Sequence, residues 1–165
     1  MVRKITFIGL FIILNSLCNA QELTTFVLVR HAEKAADGTR NPPLNELGME
    51  RSKNLASLLG NQQITALYAT PFKRTQETLR PIADQTKLTI QSYDPYAKGE
   101  WLATLLDKHS GGTVVIAGHS NTIPLLANAL LGDDTFAQFD EKDYSNLIII
   151  VTDKIGEGKL VRLKF

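Results

Sequence analysis

The sequence of 165 residues fits one domain, and its hydrophobic content of 44% is enough to fill a single packed core. The formal net charge of +1 gives no reason to expect a nucleic-acid partner. The sequence contains no internal repeat and no low-complexity tract. We therefore expect one globular domain that does not bind nucleic acid.

Residues 1–20 have the layout of a secretory signal peptide. Two basic residues precede an uncharged apolar stretch at residues 5–14, and the small residues Cys18 and Ala20 fit a signal peptidase site. The apolar stretch is too short to cross the ~30 Å hydrocarbon core of a bilayer, so we expect no stable membrane span in the mature chain. Cleavage after Ala20 would leave residues 21–165 as a periplasmic or secreted domain without cysteine.

An apolar run near the start of the mature chain predicts a buried strand that ends in two basic side chains. Residues 26–29 present no polar face, and Arg30 and His31 follow them directly. In α/β proteins the carboxyl end of such a strand opens onto the crevice where ligands bind, and a guanidinium beside an imidazole favours an anion. The alternative is that the pair only marks the exit of the strand into water.

Strand and helix patterns alternate along the rest of the chain. Apolar or alternating runs predict further strands at residues 64–69, 87–93, 113–117, 146–151 and 159–165. Helical spacing predicts helices at residues 46–59, 71–85, 99–109 and 122–131. We expect a three-layer α/β/α sandwich with a mostly parallel sheet and a C-terminal antiparallel hairpin.

Several residue types mark the ends of the predicted helices. Asn45 is a suitable N-cap for the first helix, and Thr70 with Pro71 has the pattern of an N-cap and a first helical residue for the second. Gly132 follows the fourth helix, as glycine does where a helix ends in a left-handed residue. His109 lies in the last turn of the third helix, where a histidine complements the helix dipole, so we expect it to be structural.

Arg74 lies in the first turn of the predicted second helix. A positive side chain is disfavoured next to the positive end of a helix dipole unless an anion binds there too, so Arg74 indicates an anion site. The alternative is a surface arginine that pairs with Glu77 or Glu50.

Chemically useful side chains follow four different predicted strands. Arg30 with His31, then Arg74, Asp94 and His119 each lie just past the end of a strand. Because the carboxyl ends of parallel strands meet at one edge of a sheet, we expect these side chains to share a pocket. Two arginines and two histidines suit a tetrahedral oxyanion such as phosphate, a histidine among them can act as a nucleophile, and a carboxyl group can protonate a leaving oxygen.

Three ordered motifs resemble those of the histidine phosphatase superfamily, which includes phosphoglycerate mutases and many phosphatases. They are Val29-Arg30-His31-Ala32-Glu33, Ala69-Thr70-Pro71-Phe72-Lys73-Arg74-Thr75-Gln76-Glu77-Thr78 and Gly118-His119-Ser120. Leu44-Asn45-Glu46-Leu47-Gly48 is similar to the start of the helix between the first two motifs. The resemblance covers essentially the whole mature chain, and the one departure is Ala32, where glycine is usual.

The resemblance implies a phosphatase with a phosphohistidine intermediate. His31 would attack phosphorus, Arg30, Arg74 and His119 would hold the phosphoryl oxygens with Ser120 in the same binding set, and water would then release phosphate. Positioning and charge neutralisation provide most of the rate enhancement in such a reaction, so no metal ion and no cofactor is expected.

The proton donor and the substrate stay open at this point. Asp94 has the right topological place for the acid and is our first choice, with Glu100 second, whereas Glu33 belongs to the first motif and would orient its neighbours or touch substrate. Some phosphohistidine phosphatases of the superfamily have no obvious acid. The substrate is therefore a small-molecule or envelope-associated phosphate monoester or a protein phosphohistidine, and a non-catalytic phosphate-binding protein is the further alternative.

Two other enzyme classes fit the sequence less well. Gly118-His119-Ser120 begins like the Gly-x-Ser-x-Gly motif around the nucleophile of serine hydrolases, but Thr122 replaces the second glycine. Every histidine also precedes Ser120, whereas the order in α/β-hydrolases places the histidine last. A metal hydrolase built on His31, Glu33 and His119 would lack the acidic clusters that usually accompany such sites.

Overall fold

The computed structural model describes residues 22–97 and 99–165, which form one six-stranded sheet and four helices. The strands are β1 (Thr24–Arg30), β2 (Ile64–Ala69), β3 (Ile90–Ser92), β4 (Thr113–Gly118), β5 (Asn146–Thr152) and β6 (Lys159–Lys164). The helices are α1 (Glu46–Leu59), α2 (Lys73–Thr86), α3 (Gly99–Lys108) and α4 (Thr122–Leu131). The predicted signal peptide lies outside the described residues. Within the two described ranges, no helix has the length and apolar character that crossing a membrane requires.

The sheet is parallel on one side and antiparallel on the other. Its strand order is β3-β2-β4-β1-β5-β6. The first four strands of this order pair in parallel, whereas β5 runs antiparallel to β1, and β6 runs antiparallel to β5. The predicted α/β fold, with a mostly parallel sheet and a C-terminal antiparallel hairpin, is therefore confirmed.

Helices cover both faces of the sheet and create two hydrophobic cores. Alternate residues of β1 point to opposite faces, so Phe26 and Leu28 join one core while Val27 and Val29 join the other. Leucines of α3 and α4 fill the first core, and those of α1 and α2 fill the second. This three-layer arrangement explains why the central strands consist of almost unbroken apolar runs.

The ends of two helices follow the sequence signals. The Asn45 side chain accepts a hydrogen bond of 2.9 Å from the Gly48 amide at the start of α1, as predicted for an N-cap. Helix α4 has the predicted bounds, and Gly132 ends it with a φ of 81°, a left-handed conformation that glycine adopts without strain.

The second helix and the third strand differ from the prediction. Helix α2 begins at Lys73 rather than Pro71 and its cap residue is Phe72, so the assignment of Thr70 as the N-cap is wrong. The Thr70 hydroxyl is fully buried and bonds inward to other side chains, which removes it from the helix end. Strand β3 is only three residues long. Lys87, the first residue of the predicted strand, instead takes a left-handed φ of 61° and ends α2.

His109 lies at the opposite edge of the sheet from the predicted pocket. Its Nε2 is 3.0 Å from the Tyr68 hydroxyl, and its carbonyl accepts from the hydroxyl of Thr24, the first residue of β1. His109 thus ties the end of α3 to the amino end of β1 and to a side chain of β2, which agrees with a structural role.

Candidate active site

The carboxyl ends of β1 and β4 place two histidines side by side. The strands are parallel neighbours with Arg30 opposite Gly118, and the His31 amide donates a 2.9 Å hydrogen bond to the Gly118 carbonyl. The rings of His31 and His119 consequently stand edge to face with centroids 5.4 Å apart. This convergence follows from the topology of the sheet.

His31 is buried and has the tautomer of a nucleophile. Its side chain is only 4% exposed, and Nδ1 lies 2.8 Å from the Ala32 carbonyl oxygen. A carbonyl only accepts hydrogen bonds, so Nδ1 holds the proton and Nε2 keeps its lone pair. Burial lowers the pKa of His31 to about 3, with the Ala32 carbonyl opposing this shift and the charges of Arg74 and Arg30 adding to it. The ring is therefore neutral at physiological pH.

His119 is held by a hydroxyl on one side and faces a guanidinium on the other. Its Nε2 is 3.0 Å from Thr70 Oγ1, and its Nδ1 is 3.5 Å from Arg74 Nη2. The Arg74 group only donates, so Nδ1 is the unprotonated nitrogen and Nε2 donates to Thr70. Burial first, then the charges of Arg74 and Arg30, lower the pKa of His119 to about 4.

Thr70 is a site residue that sequence reasoning assigned to a different task. Its hydroxyl lies 2.8 Å from Thr75 Oγ1, which in turn donates to the Phe72 carbonyl. The result is a buried chain of hydrogen bonds that runs from the start of α2 to His119. A threonine that follows a buried strand and precedes Pro71 resembles an N-cap so closely that no sequence signal distinguishes the two tasks.

The two arginines present buried donors that the protein does not use. Arg74 lies with its guanidinium carbon 4.5 Å from the Phe72 ring centroid, and Arg30 lies 4.2 Å from that of Tyr144. The Nε atoms of both are buried and have no hydrogen-bond partner among the described residues. Burial and the nearby charge of Arg30 lower the pKa of Arg74. Unsatisfied buried donors of this kind require an explanation, and an oxyanion between the two guanidinium groups would supply the missing acceptors.

The loop before β5 contributes a group of site residues that the sequence did not reveal. Arg30 Nη1 donates to the carbonyls of Asp140 at 2.9 Å and Asp143 at 3.2 Å, and Arg30 Nη2 lies 2.7 Å from a Glu141 carboxylate oxygen. Glu141 also accepts from the hydroxyl of Ser120, which is itself buried. The only hint in the sequence is that this acidic, patternless loop precedes a strand at the edge of a basic pocket.

Glu33 and its partner tie the first motif to α1. Both carboxylate oxygens of Glu33 accept from Arg51, at 2.7 to 3.0 Å, and Arg51 also bonds the carbonyl of Phe165. Burial is the largest single effect and raises the pKa of Glu33, but the hydrogen bonds from Arg51 and from the Glu33 backbone, together with the charges of Arg51 and Arg30, leave that pKa below its ordinary value. Glu33 is thus paired with the guanidinium of Arg51. Within residues 22–97 and 99–165, no group of three His, Cys, Asp or Glu side chains is arranged to hold a metal ion.

The two candidate proton donors lie in local turns. Asp94 is exposed, and its carboxylate accepts a 2.9 Å hydrogen bond from the Tyr96 amide. Glu100 is an exposed residue in the first turn of α3. Among the described contacts, neither carboxylate reaches His31 or His119. The role of Asp94 as the acid therefore stays a prediction.

This donor set fits a tetrahedral oxyanion at the carboxyl edge of an α/β sheet. Residues 26–95, which include the first histidine and Arg74, match the histidine phosphatase superfamily, branch 1. This stretch is less than half of the chain, and it contains the first two of the three motifs that resemble this superfamily.

The chain is also similar to individual proteins that are phosphatases. Phosphoserine phosphatase 1 of Hydrogenobacter thermophilus is 30% identical over a region that covers 52% of this chain and 45% of that protein, so the chain spans less than half of the length of this relative. The protein histidine phosphatase SixA complexed with tungstate has the same fold, with a TM-score of 0.70 at 19% identity over 85% of this chain and 96% of that one. A mycobacterial glucosyl-3-phosphoglycerate phosphatase has the same fold with a TM-score of 0.68 at 13% identity, over 87% of this chain and 99% of that one.

Proposed function

We propose that the protein is a metal-independent phosphatase that hydrolyses phosphate monoesters through a phosphohistidine intermediate on His31. The observation that supports this most directly is a buried, neutral His31 with a free Nε2 beside two guanidinium groups whose Nε atoms have no partner. The superfamily match, the fold and the phosphatases among the similar proteins support the same reaction.

The first step of the proposed reaction transfers the phosphoryl group to the protein. The Nε2 lone pair of His31 attacks phosphorus and the bond from phosphorus to the ester oxygen breaks. The leaving oxygen takes a proton from the candidate acid Asp94 or, for a good leaving group, from water. The Nδ1 proton stays on the ring, where the Ala32 carbonyl at 2.8 Å fixes its orientation. This hydrogen bond also favours the positive charge that the ring develops when it bonds to phosphorus.

The second step returns the histidine to its starting state. Water attacks phosphorus, the bond from phosphorus to Nε2 breaks, and the imidazole leaves as a neutral ring while the proton of the water passes to solvent. Arg30 and Arg74 hold the phosphoryl oxygens throughout, so the charge that moves between oxygens stays neutralised.

His119 changes its role when the oxyanion arrives. Among the protein's own groups, burial and then the two arginines lower its pKa to about 4. A bound phosphoryl dianion opposes those charges and raises that pKa. The ring then takes up a proton and donates from Nδ1 to a phosphoryl oxygen, while Nε2 stays on Thr70.

A protein phosphohistidine is the second candidate substrate. This alternative is favoured by the place of Asp94, whose carboxylate binds the Tyr96 amide and not a catalytic histidine. A phosphorylated imidazole leaves with less help than an alkoxide does, so it needs no strong acid. The similar fold of a protein histidine phosphatase is in line with this choice.

The signal peptide expected in residues 1–20 supports export. An exported phosphatase would meet small phosphate esters or phosphorylated components of the cell envelope. Secretion of the full-length protein, followed by sequencing of its N-terminus, tests both export and cleavage after Ala20.

Hydrolysis of p-nitrophenyl phosphate in excess EDTA tests the proposed reaction. We expect turnover that is lost in His31→Ala and kept in His109→Gln, a matched histidine control at the opposite edge of the sheet. Rapid acid-free quenching with radiolabelled substrate should trap labelled protein with the wild type and none with His31→Ala. Loss of turnover in EDTA would refute the metal-independent mechanism. A folded but inactive wild type would refute hydrolysis of simple monoesters, and a phosphohistidine peptide would then be assayed.

A further inference from the structure

The loop before β5 surrounds the Arg30 guanidinium almost completely. The carbonyls of Asp140 and Asp143 accept from Nη1, and the Tyr144 ring covers one face at 4.2 Å. These contacts fix Arg30, which is 1% exposed, and they leave Nε and Nη2 for other acceptors. Nη2 faces the carboxylate of Glu141 at 2.7 Å. An anion of the chain itself therefore binds a donor that the proposed function assigns to substrate.

Glu141 makes its contacts in the centre of the proposed phosphate site. One of its oxygens accepts from Arg30 Nη2 and the other from the Ser120 hydroxyl. Its charge also raises the pKa of Arg74 and of His119, against the stronger effects that lower them. The carboxylate thus contacts two of the proposed phosphate donors, and its charge acts on the other two.

The Glu141 side chain is held by these two donors and not by packing. It is 64% exposed, whereas its partner Arg30 is 1% exposed. The loop itself is anchored separately, through the carbonyls of Asp140 and Asp143 on Nη1. Rotation of the carboxylate into water therefore requires no movement of the backbone and leaves Arg30 in place.

We propose that Glu141 is an internal competitor that binds two of the phosphate donors, Arg30 Nη2 and the Ser120 hydroxyl, and must leave them when a phosphoryl group binds. The inference rests on the proposed function and names a residue that sets its affinity. The Ser120 hydroxyl has a single proton to donate, and a phosphoryl dianion on Arg30 would repel a carboxylate held 2.7 Å from Nη2. The ligand therefore binds to the fraction of molecules in which Glu141 has turned away. The competition weakens the binding of substrate and the binding of product by the same factor. The return of Glu141 after hydrolysis helps to expel inorganic phosphate from a strongly cationic pocket.

Titration calorimetry with inorganic phosphate tests this competition in the purified protein. Glu141→Gln keeps the shape and the hydrogen bonds of the side chain but removes its charge, and a charge-assisted hydrogen bond is about twice as strong as a neutral one. After allowance for solvent screening of the exposed partner, we expect the Kd for phosphate to fall about fivefold. Glu141→Ala, which also removes the hydrogen bonds, should bind phosphate at least as tightly as Glu141→Gln.

Glu157→Gln is the matched control, because Glu157 pairs with an exposed lysine near β6 and lies outside the pocket. In kinetics, KM of Glu141→Gln should fall by the factor seen in Kd while kcat does not rise. An unchanged Kd, or a weaker one, in both Glu141 variants would overturn the competition even if turnover through His31 is intact. Failure of the wild type and both variants to bind phosphate would refute the phosphate site and the competition together.

Discussion

Acid should destabilise the native protein through His31 in a way that can be isolated. The pKa of His31 in the native state is about 3 against an ordinary value of 6.5, mainly because the ring is buried. Between these two pH values the unfolded chain binds a proton that the native chain does not. The contribution to stability is therefore complete above pH 6.5 and is lost as the pH falls towards 3.

The size of this loss follows from the difference between the two pKa values. Each unit corresponds to about 1.4 kcal/mol, so at pH 4 the free energy of unfolding should have dropped by about 3 kcal/mol on account of His31 alone. A domain of this size has a total stability of about 5–15 kcal/mol, so the loss is a large fraction of the whole.

Urea unfolding of the wild type and of His31→Asn between pH 7.5 and 4 measures this loss, because asparagine does not titrate. Acid also removes the stabilising contribution of carboxylates whose pKa is lowered in the native state, such as Asp143. This loss is the same in both proteins and cancels in their difference. We expect the stability difference between the two proteins to shift against the wild type as the pH falls. The buffer must lack phosphate, which would stabilise the native state by binding. Parallel stability curves would refute the conclusion that His31 is buried and neutral.

Three further substitutions test other parts of the site. Thr70→Val removes the hydroxyl that lies 3.0 Å from His119 Nε2, which leaves a buried N–H unpaired, so kcat/KM should fall about tenfold or more in steady-state assays; full activity would contradict the proposed hydrogen-bond chain. Arg74→Lys keeps a positive charge but loses the buried Nε donor, so kcat/KM should fall about a hundredfold, whereas wild-type activity would show that charge alone suffices. Gly48→Ala places a methyl group 2.2 Å from the Glu33 carbonyl oxygen, a backbone atom that cannot yield, and thermal unfolding should show a loss of about 1–3 kcal/mol; an unchanged midpoint would mean that α1 can move away from β1.

The sequence predicted the pocket because apolar runs mark where strands end. Once β1, β2 and β4 are recognised as parallel strands, the residues that follow them must meet at one edge, and the structure brings Arg30, His31, Arg74 and His119 together there. That inference needs no contact information, because topology supplies it. Asp94 follows the same rule at the end of β3, but a local turn directs its carboxylate to the Tyr96 amide.

The loop before β5 shows what the sequence could not provide. Glu141 and Tyr144 lie in a stretch with no hydrophobic period, so nothing in their spacing indicates a position. Their place depends on hydrogen bonds from Arg30 to two backbone carbonyls over a hundred residues away in the chain. The prediction for Thr70 was wrong for a different reason. Its local sequence pattern suits a helix N-cap, but its hydroxyl belongs to a tertiary hydrogen-bond network instead.

The reversal of direction at β5 determines how new variants of this site can arise. Because β5 is antiparallel to β1, its first residue lies at the edge where β1 ends. The connection from α4 to β5 therefore ends beside His31, whose ring lies 6.0 Å from that of Tyr144. Phe136 and Phe139 of this connection belong to the first hydrophobic core, but substitutions and insertions between Asp140 and Ser145 can remodel access to the pocket while both cores and the strand register stay as they are.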